Sequence, residues 1–187
     1  MKCMGFDMKE EDTFCGGYGK KVENDYWDLT KHKYICIGHP LGWITEGTEV
    51  LYLLDLGDRE EKLYHNQSIV WAEMLGNKNI TKNDNEIIKE LLDKKLLLDL
   101  KDFDQIKIFM QCVPHRQGYS VVKDNKHAIV LGSAPIYIPA NHLNIWRLSN
   151  GKNNLEAIMK ELNLSQEEVV KQVLESIYHG TIILKND

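Results

Sequence analysis

The chain has 187 residues, 43% hydrophobic and 27% charged, which is the composition of a protein with a packed core rather than of a disordered segment. Its 23 Lys and Arg against 28 Asp and Glu leave a formal net charge of -5, and only Arg59, Arg116 and Arg147 are arginines, so composition argues against a dedicated nucleic-acid binder. No apolar run approaches the roughly 20 residues that span a bilayer. Met1 to Asp12 carries acidic residues and no apolar h-region, so a cytoplasmic protein with no membrane partner is expected. Cys3, Cys15, Cys36 and Cys112 are too sparse for a disulfide scaffold and are read as reduced thiols.

Residues 1–30 read as an acidic arm. Its Gly16-Gly17-Tyr18-Gly19 lacks the preceding strand and the spacing of a phosphate loop. Tyr26 and Trp27 have no counterpart elsewhere and are suited to pin the arm to a domain or to meet a partner.

Beyond the arm the chain repeats itself. Trp71 and Trp146 are each followed five residues later by Gly (Gly76, Gly151) and preceded five residues earlier by Asn (Asn66, Asn141), an offset of 75. Cys36-x-x-His39-x-x-Gly42-Trp43 faces Cys112-x-x-His115-x-x-Gly118-Tyr119, and E-I-I-K-E-L-L-D from Glu86 matches E-V-V-K-Q-V-L-E from Glu168. Landmarks in the same order mark a duplication. The expected organisation is an arm over 1–30, a reduced first unit over 31–103 and a complete second unit over 104–187. The charge divides unevenly: residues 1–103 hold 14 cations and 20 carboxylates, and 104–187 hold 9 and 8.

The first unit predicts strands near 43–45, 50–56 and 62–65, a helix over 67–75, a loop or single turn over 79–82, a closing helix over 85–95 and an apolar run over 96–98. In the second, 119–123 and 127–131 are β-branched and apolar runs separated by Asp124-Asn125, which is hairpin chemistry. Ile136-Tyr137-Ile138 between Pro135 and Pro139 reads as an edge strand, because proline cannot donate to a ladder. Leu143, Ile145, Trp146 and Leu148 make a helical stripe stopped at Asn150-Gly151, and Leu155, Ile158, Met159 and Leu162 make another. Ser165 and Glu168 form a capping box opening a third helix, whose buried face is Val169, Val170, Val173, Leu174 and Ile177; Gly180 ends it before a closing strand over 181–184. The expected class is α+β, two tandem winged-helix-like units. Trp43, Trp71 and Trp146 are read as core anchors.

The stretch 119–184, with I-W-R-L-S-N-G-K, L-x-x-I-M-K-E-L and S-Q-E-E-V-V-K-Q-V-L-E-S-I-Y-H-G-T-I-I-L, resembles the PqqD-like winged-helix family, the RiPP recognition element, and the first unit looks like a degenerate copy. That resemblance implies a domain that binds the leader segment of a ribosomally made precursor peptide as an added strand. It implies a peptide-binding groove between Ile136, Tyr137 and Ile138 and the helix face carrying Gln166, Lys171, Gln172 and Glu175.

The paired C-x-x-H motifs carry the sharpest chemistry. Cys36, His39, Cys112 and His115 would complete a tetrahedral zinc site if the copies bring them together. The alternative is inheritance from one ancestral unit, with each Cys a small buried hydrophobe at a strand end. No other cofactor is expected, and nothing supplies the orienting carboxylate of a Cys-His nucleophile, so an enzyme is not expected. A winged-helix regulator binding DNA is the alternative function. It needs a continuous basic surface from Lys78, Lys82, Lys89, Lys152 and Lys171, yet 165–179 holds Glu167, Glu168 and Glu175 against Lys171, a net of -2. The favoured reading is a non-enzymatic recognition protein for a peptide or protein partner, acting as an accessory protein in peptide modification.

Overall fold

The computed structural model describes residues 34–75, 84–123 and 126–186. The expected acidic arm with Cys3, Cys15, Tyr26 and Trp27, the turn over 79–82 and the Asp124-Asn125 hairpin turn lie outside the described residues. The class is α+β, and no helix among the described residues is long and apolar enough to cross a membrane.

In chain order the first repeat gives β1 (Tyr34–Cys36), β2 (His39–Glu46), β3 (Glu49–Asp55), β4 (Glu60–Leu63), α1 (His65–Leu75), α2 (Asn85–Asp93) and β5 (Leu97–Asp99). The second gives α3 (Phe103–Gln111), β6 (Val113–Arg116), β7 (Tyr119–Lys123), β8 (Lys126–Leu131), β9 (Ala134–Tyr137), α4 (Ala140–Leu148), α5 (Leu155–Leu162), α6 (Gln166–Tyr178) and β10 (Ile182–Lys185). The duplication is written into the pairing. β1 pairs antiparallel with β5 as β6 does with β10, and β2-β3-β4 is a meander as β7-β8-β9 is. Helix α3 has no expected counterpart in the sequence reading. Asp102 caps it, accepting from Asp104 and Gln105 N–H, and it buries Phe109 and Met110. The expected capping box of α6 is formed in both directions, Glu168 N–H to Ser165 Oγ at 3.3 Å and Ser165 N–H to Glu168 Oε2 at 2.7 Å.

The repeats share one core. Leu54, Leu63, Trp71 and Leu91 from the first belong to the same buried cluster as Phe109, Ile129, Trp146, Leu155 and Val173 from the second. Strand β10 ties them by main chain as well: Gly38 N–H donates to Leu184 O at 2.8 Å and Asn186 N–H to Leu56 O at 2.7 Å. Trp71 and Trp146 are buried as expected, but Trp43 is not a core anchor. It is 51% exposed, edge-on to Tyr52 with centroids 4.9 Å apart, and its counterpart Tyr119 is exposed too. Along β3 the exposure falls from Val50 at 55% through half-buried Tyr52 to fully buried Leu54, and Trp43 pairs with Tyr52, part-way out along the hairpin.

An ion pair reinforces the β10 tie. Lys185 Nζ lies 2.5 Å from Asp55 Oδ2, with the side chains 15% and 27% exposed, and Gly57 N–H donates to the same carboxylate. These hydrogen bonds, the Lys185 one largest, hold the Asp55 carboxyl below its ordinary range. Asp55→Asn is therefore expected to cost about 1–3 kcal/mol near neutral pH. Because the folded-state pKa is the lower one, that difference is present above the unfolded value near 3.9 and is lost as pH falls through the folded one. Urea unfolding of both proteins from pH 7 to pH 3 checks it; a gap that widened toward acid would be the wrong sign.

Candidate functional site

Strand β9 lies at the end of its sheet, and among the described residues no strand pairs with its outer edge. Ile136 sits opposite Ile129, and Ile138 N–H donates to His127 O at 3.2 Å. In an antiparallel ladder alternate residues turn their polar groups to the same neighbour, so Ile136 and Ile138 bond β8 and Tyr137 turns its N–H and C=O outward. Pro135 adds an outward carbonyl and no donor. The edge therefore offers one N–H between two prolines, with no charged residue from Ala134 to Tyr137.

Pro139, the N-cap of α4, turns the chain straight from β9 into the helix, which buries His142, Leu143, Ile145 and Trp146. Trp146 fixes that helix, its Nε1 donating to Gln117 O at 3.1 Å beneath the Arg116 guanidinium, 5.3 Å from the ring centroid. His142 Nδ1 reaches Glu175 Oε2 on α6 at 3.1 Å. Burial holds the His142 imidazole below its usual range, helped by the Lys171 charge, and raises the Glu175 carboxyl against the pull of His179 and Lys171. His179 is likewise lowered, first by burial.

The expected groove residues divide accordingly. Ile136, Tyr137 and Ile138 occupy the open edge or its continuation, and Gln166 is exposed on the first turn of α6. Gln172 is buried and Glu175 is engaged with α4, with Lys171 partly buried beside them. This face of α6 is thus turned toward the first turn of α4, and His142 is the residue that sequence reasoning missed. Its position three and four residues before Ile145 and Trp146 placed it on the apolar stripe.

The matching edge strand of the first repeat, β4, also has no strand on its outer side among the described residues, but it is charged. At the offset of 75, Glu61 of β4 stands where Ile136 stands in β9, each paired across to a core residue, Leu54 or Ile129. Strand β4 reads Glu-Glu-Lys-Leu, and charges on an edge discourage strand addition. Glu61 takes Lys94 Nζ at 2.7 Å and Arg59 Nε at 3.8 Å, and Arg59 Nη2 donates to Lys94 O at 3.2 Å, which binds the end of α2 onto β4. Lys62 further pairs with Glu46.

The two Cys-His pairs do not meet, so the expected zinc site of Cys36, His39, Cys112 and His115 is not assembled. Among the described residues no group of three or more His, Cys, Asp or Glu could hold a metal ion. Each thiol points into its own packing. Cys36 Sγ donates to Trp71 O at 3.3 Å, and Cys112 Sγ to Ile108 O at 3.5 Å. Burial raises both thiols, Cys112 to about 12, as suits small buried hydrophobes. His39 lies opposite Asp55 at the start of β2, and His115 lies opposite Ile183 in β6.

His115 has a packing role instead. Gly151, at φ 75°, sits so close that an added Cβ would stand 2.6 Å from His115 Cε1, so the ring would have to shift. Gly151→Ala is therefore expected to cost about 1–3 kcal/mol, from the left-handed backbone and the displaced ring together. Chemical denaturation checks the loss, and a change below a few tenths of a kcal/mol would mean that the ring moves freely.

Of the lysines a DNA surface needs, Lys78 and Lys82 lie outside the described residues, Lys89 and Lys152 are exposed and Lys171 is half-buried. No protein-family model, curated protein or solved structure matches the chain.

Proposed function

We propose that the chain is a non-enzymatic recognition protein that holds an extended peptide segment as an added strand along β9, with α6 and the first turn of α4 as the flanking wall, one segment per chain. The observation that carries this reading is the contrast between the two repeats. The β9 edge is open, uncharged and bracketed by prolines, whereas the β4 edge is charged and pinned to α2. An open edge is a hazard that folds usually blunt with charge, so an uncharged β9 edge beside a charged β4 edge supports β9 as the place for another chain. Main-chain bonds then give affinity and side-chain pockets specificity. The resemblance of 119–184 to the PqqD-like family supports the same partner, the leader segment of a precursor peptide, and an accessory role in peptide modification.

The reading is tested by selecting binders from a random dodecapeptide library and titrating the isotope-labelled full chain with them. Amide shifts at Ile136, Tyr137 and Ile138 and a calorimetric stoichiometry of one are expected. Shifts centred on β4, or two equivalent sites, would sink it.

A further inference from the structure

The C-terminal end of α4 carries a cluster of cations that the first repeat lacks. Strand β6 lies against the turn that follows α4: Arg116 N–H donates to Ser149 O at 2.6 Å, Gly151 N–H donates to Pro114 O at 3.2 Å, and His115 bridges to Asn150. This pairing gathers Arg116, Arg147 and Lys152, all exposed, around one turn. At the offset of 76 set by Cys36 and Cys112, the counterpart of Arg116 is Pro40, and at the offset of 75 those of Arg147 and Lys152 are Ala72 and Asn77. The second repeat alone holds the three charges.

The Arg116 guanidinium is fixed from two sides. Its Nη1 donates to Arg147 O at 3.1 Å, satisfying a carbonyl at the end of α4, and its Cζ lies 5.3 Å from the centroid of the Trp146 ring. Neither contact supplies a counter-ion. Among the described residues no carboxylate lies within 4.0 Å of the charged nitrogens of Arg116, Arg147 or Lys152. Arg59, the remaining arginine, is by contrast spent within its own repeat on Asp58, Glu61 and the Lys94 carbonyl. A guanidinium already held in one orientation loses little freedom when it takes an oxyanion.

We infer that this turn is a recognition surface for an acidic peptide segment, whose Asp or Glu carboxylates pair with Arg116, Arg147 and Lys152. The planar fork of an arginine matches a carboxylate, and the two flanking cations hold further acidic residues of the same segment. A nucleic acid fits less well. Three cations neutralise only a few phosphates, and the 20 carboxylates against 14 cations over residues 1–103 repel a long polyanion. The surface lies at the opposite end of α4 from β9, so it stands or falls apart from strand addition there.

The test titrates the isotope-labelled full chain with acetylated, amidated hexaglutamate, and in parallel with inorganic phosphate and with a thymidine oligonucleotide of the same length. Saturable amide shifts centred on Arg116, Arg147 and Lys152 are expected with hexaglutamate, weakening as salt is added. Combining Arg147→Gln with Lys152→Gln is expected to weaken binding about tenfold or more. Arg116→Lys, which keeps the charge and loses the fork, should weaken it as well. The side chains of Arg147 and Lys152 make no hydrogen bond or ion pair among the described residues, so the double variant should melt at the same temperature as the parent or higher. A midpoint lower by several degrees would show that these charges are already satisfied within the fold, and would overturn the inference. Shifts scattered over the other lysines, binding that survives the double variant, tighter binding of the oligonucleotide or of phosphate, or no shifts at all would overturn it too.

Discussion

Leu184→Ala is expected to destabilise the protein by about 2–5 kcal/mol and to loosen both repeats together. Leu184 is buried in the shared cluster, on a strand whose main chain pairs with β6 and whose carbonyl takes the Gly38 N–H of the first repeat. Deleting its branched side chain opens a cavity in the core that the two repeats share. Hydrogen exchange resolves this: protection at Leu54 and Leu97 in the first repeat should fall as far as at Ile129 and Val173 in the second. If only the second repeat lost protection, the units would be independent domains joined by a linker.

The second large effect falls on binding. Tyr137→Pro removes the one outward donor of β9 without touching a bond to β8, because the Tyr137 N–H faces away from that ladder. Affinity for library-selected peptides is expected to drop tenfold or more, a lost main-chain bond compounded by a bound carbonyl left unpaired. Tyr137→Ala keeps the N–H and loses only the half-exposed ring, so it should fall less. Equal losses in the two variants would place the affinity in the ring, and the strand-addition geometry would then be wrong.

Periodic features were legible in the sequence. The tryptophan offset, the stripes of α4 and α5 and the Ser165 capping box depend on neighbours within one or two turns, and all appear in the structure. Strands β1 and β5 were harder, with three residues each and partners some 60 positions apart, so no local period announces them. The exposure of Trp43 depends on how far its hairpin outruns the core, which no single residue encodes. The four C-x-x-H residues carried a real spacing, but the spacing recorded descent. Whether equivalent thiols in two copies meet is decided by how the copies pack, and here each thiol turns to a carbonyl in its own repeat. At the candidate site, the edge character of β9 was readable from Pro135 and Pro139. The burial of Gln172 and the His142 bridge to Glu175 were not, because they follow from α4 crossing α6.

The edge strand itself offers the most direct measurement. Hydrogen exchange of the Tyr137 amide, followed in the full chain with and without saturating library-selected peptide, reports whether a partner strand has been added there. The account predicts an exposed, fast-exchanging amide in the free protein that slows by about 100-fold or more in the complex, with Glu60 to Leu63 unchanged. A Tyr137 amide that exchanges as fast at saturation as in the free protein would contradict it.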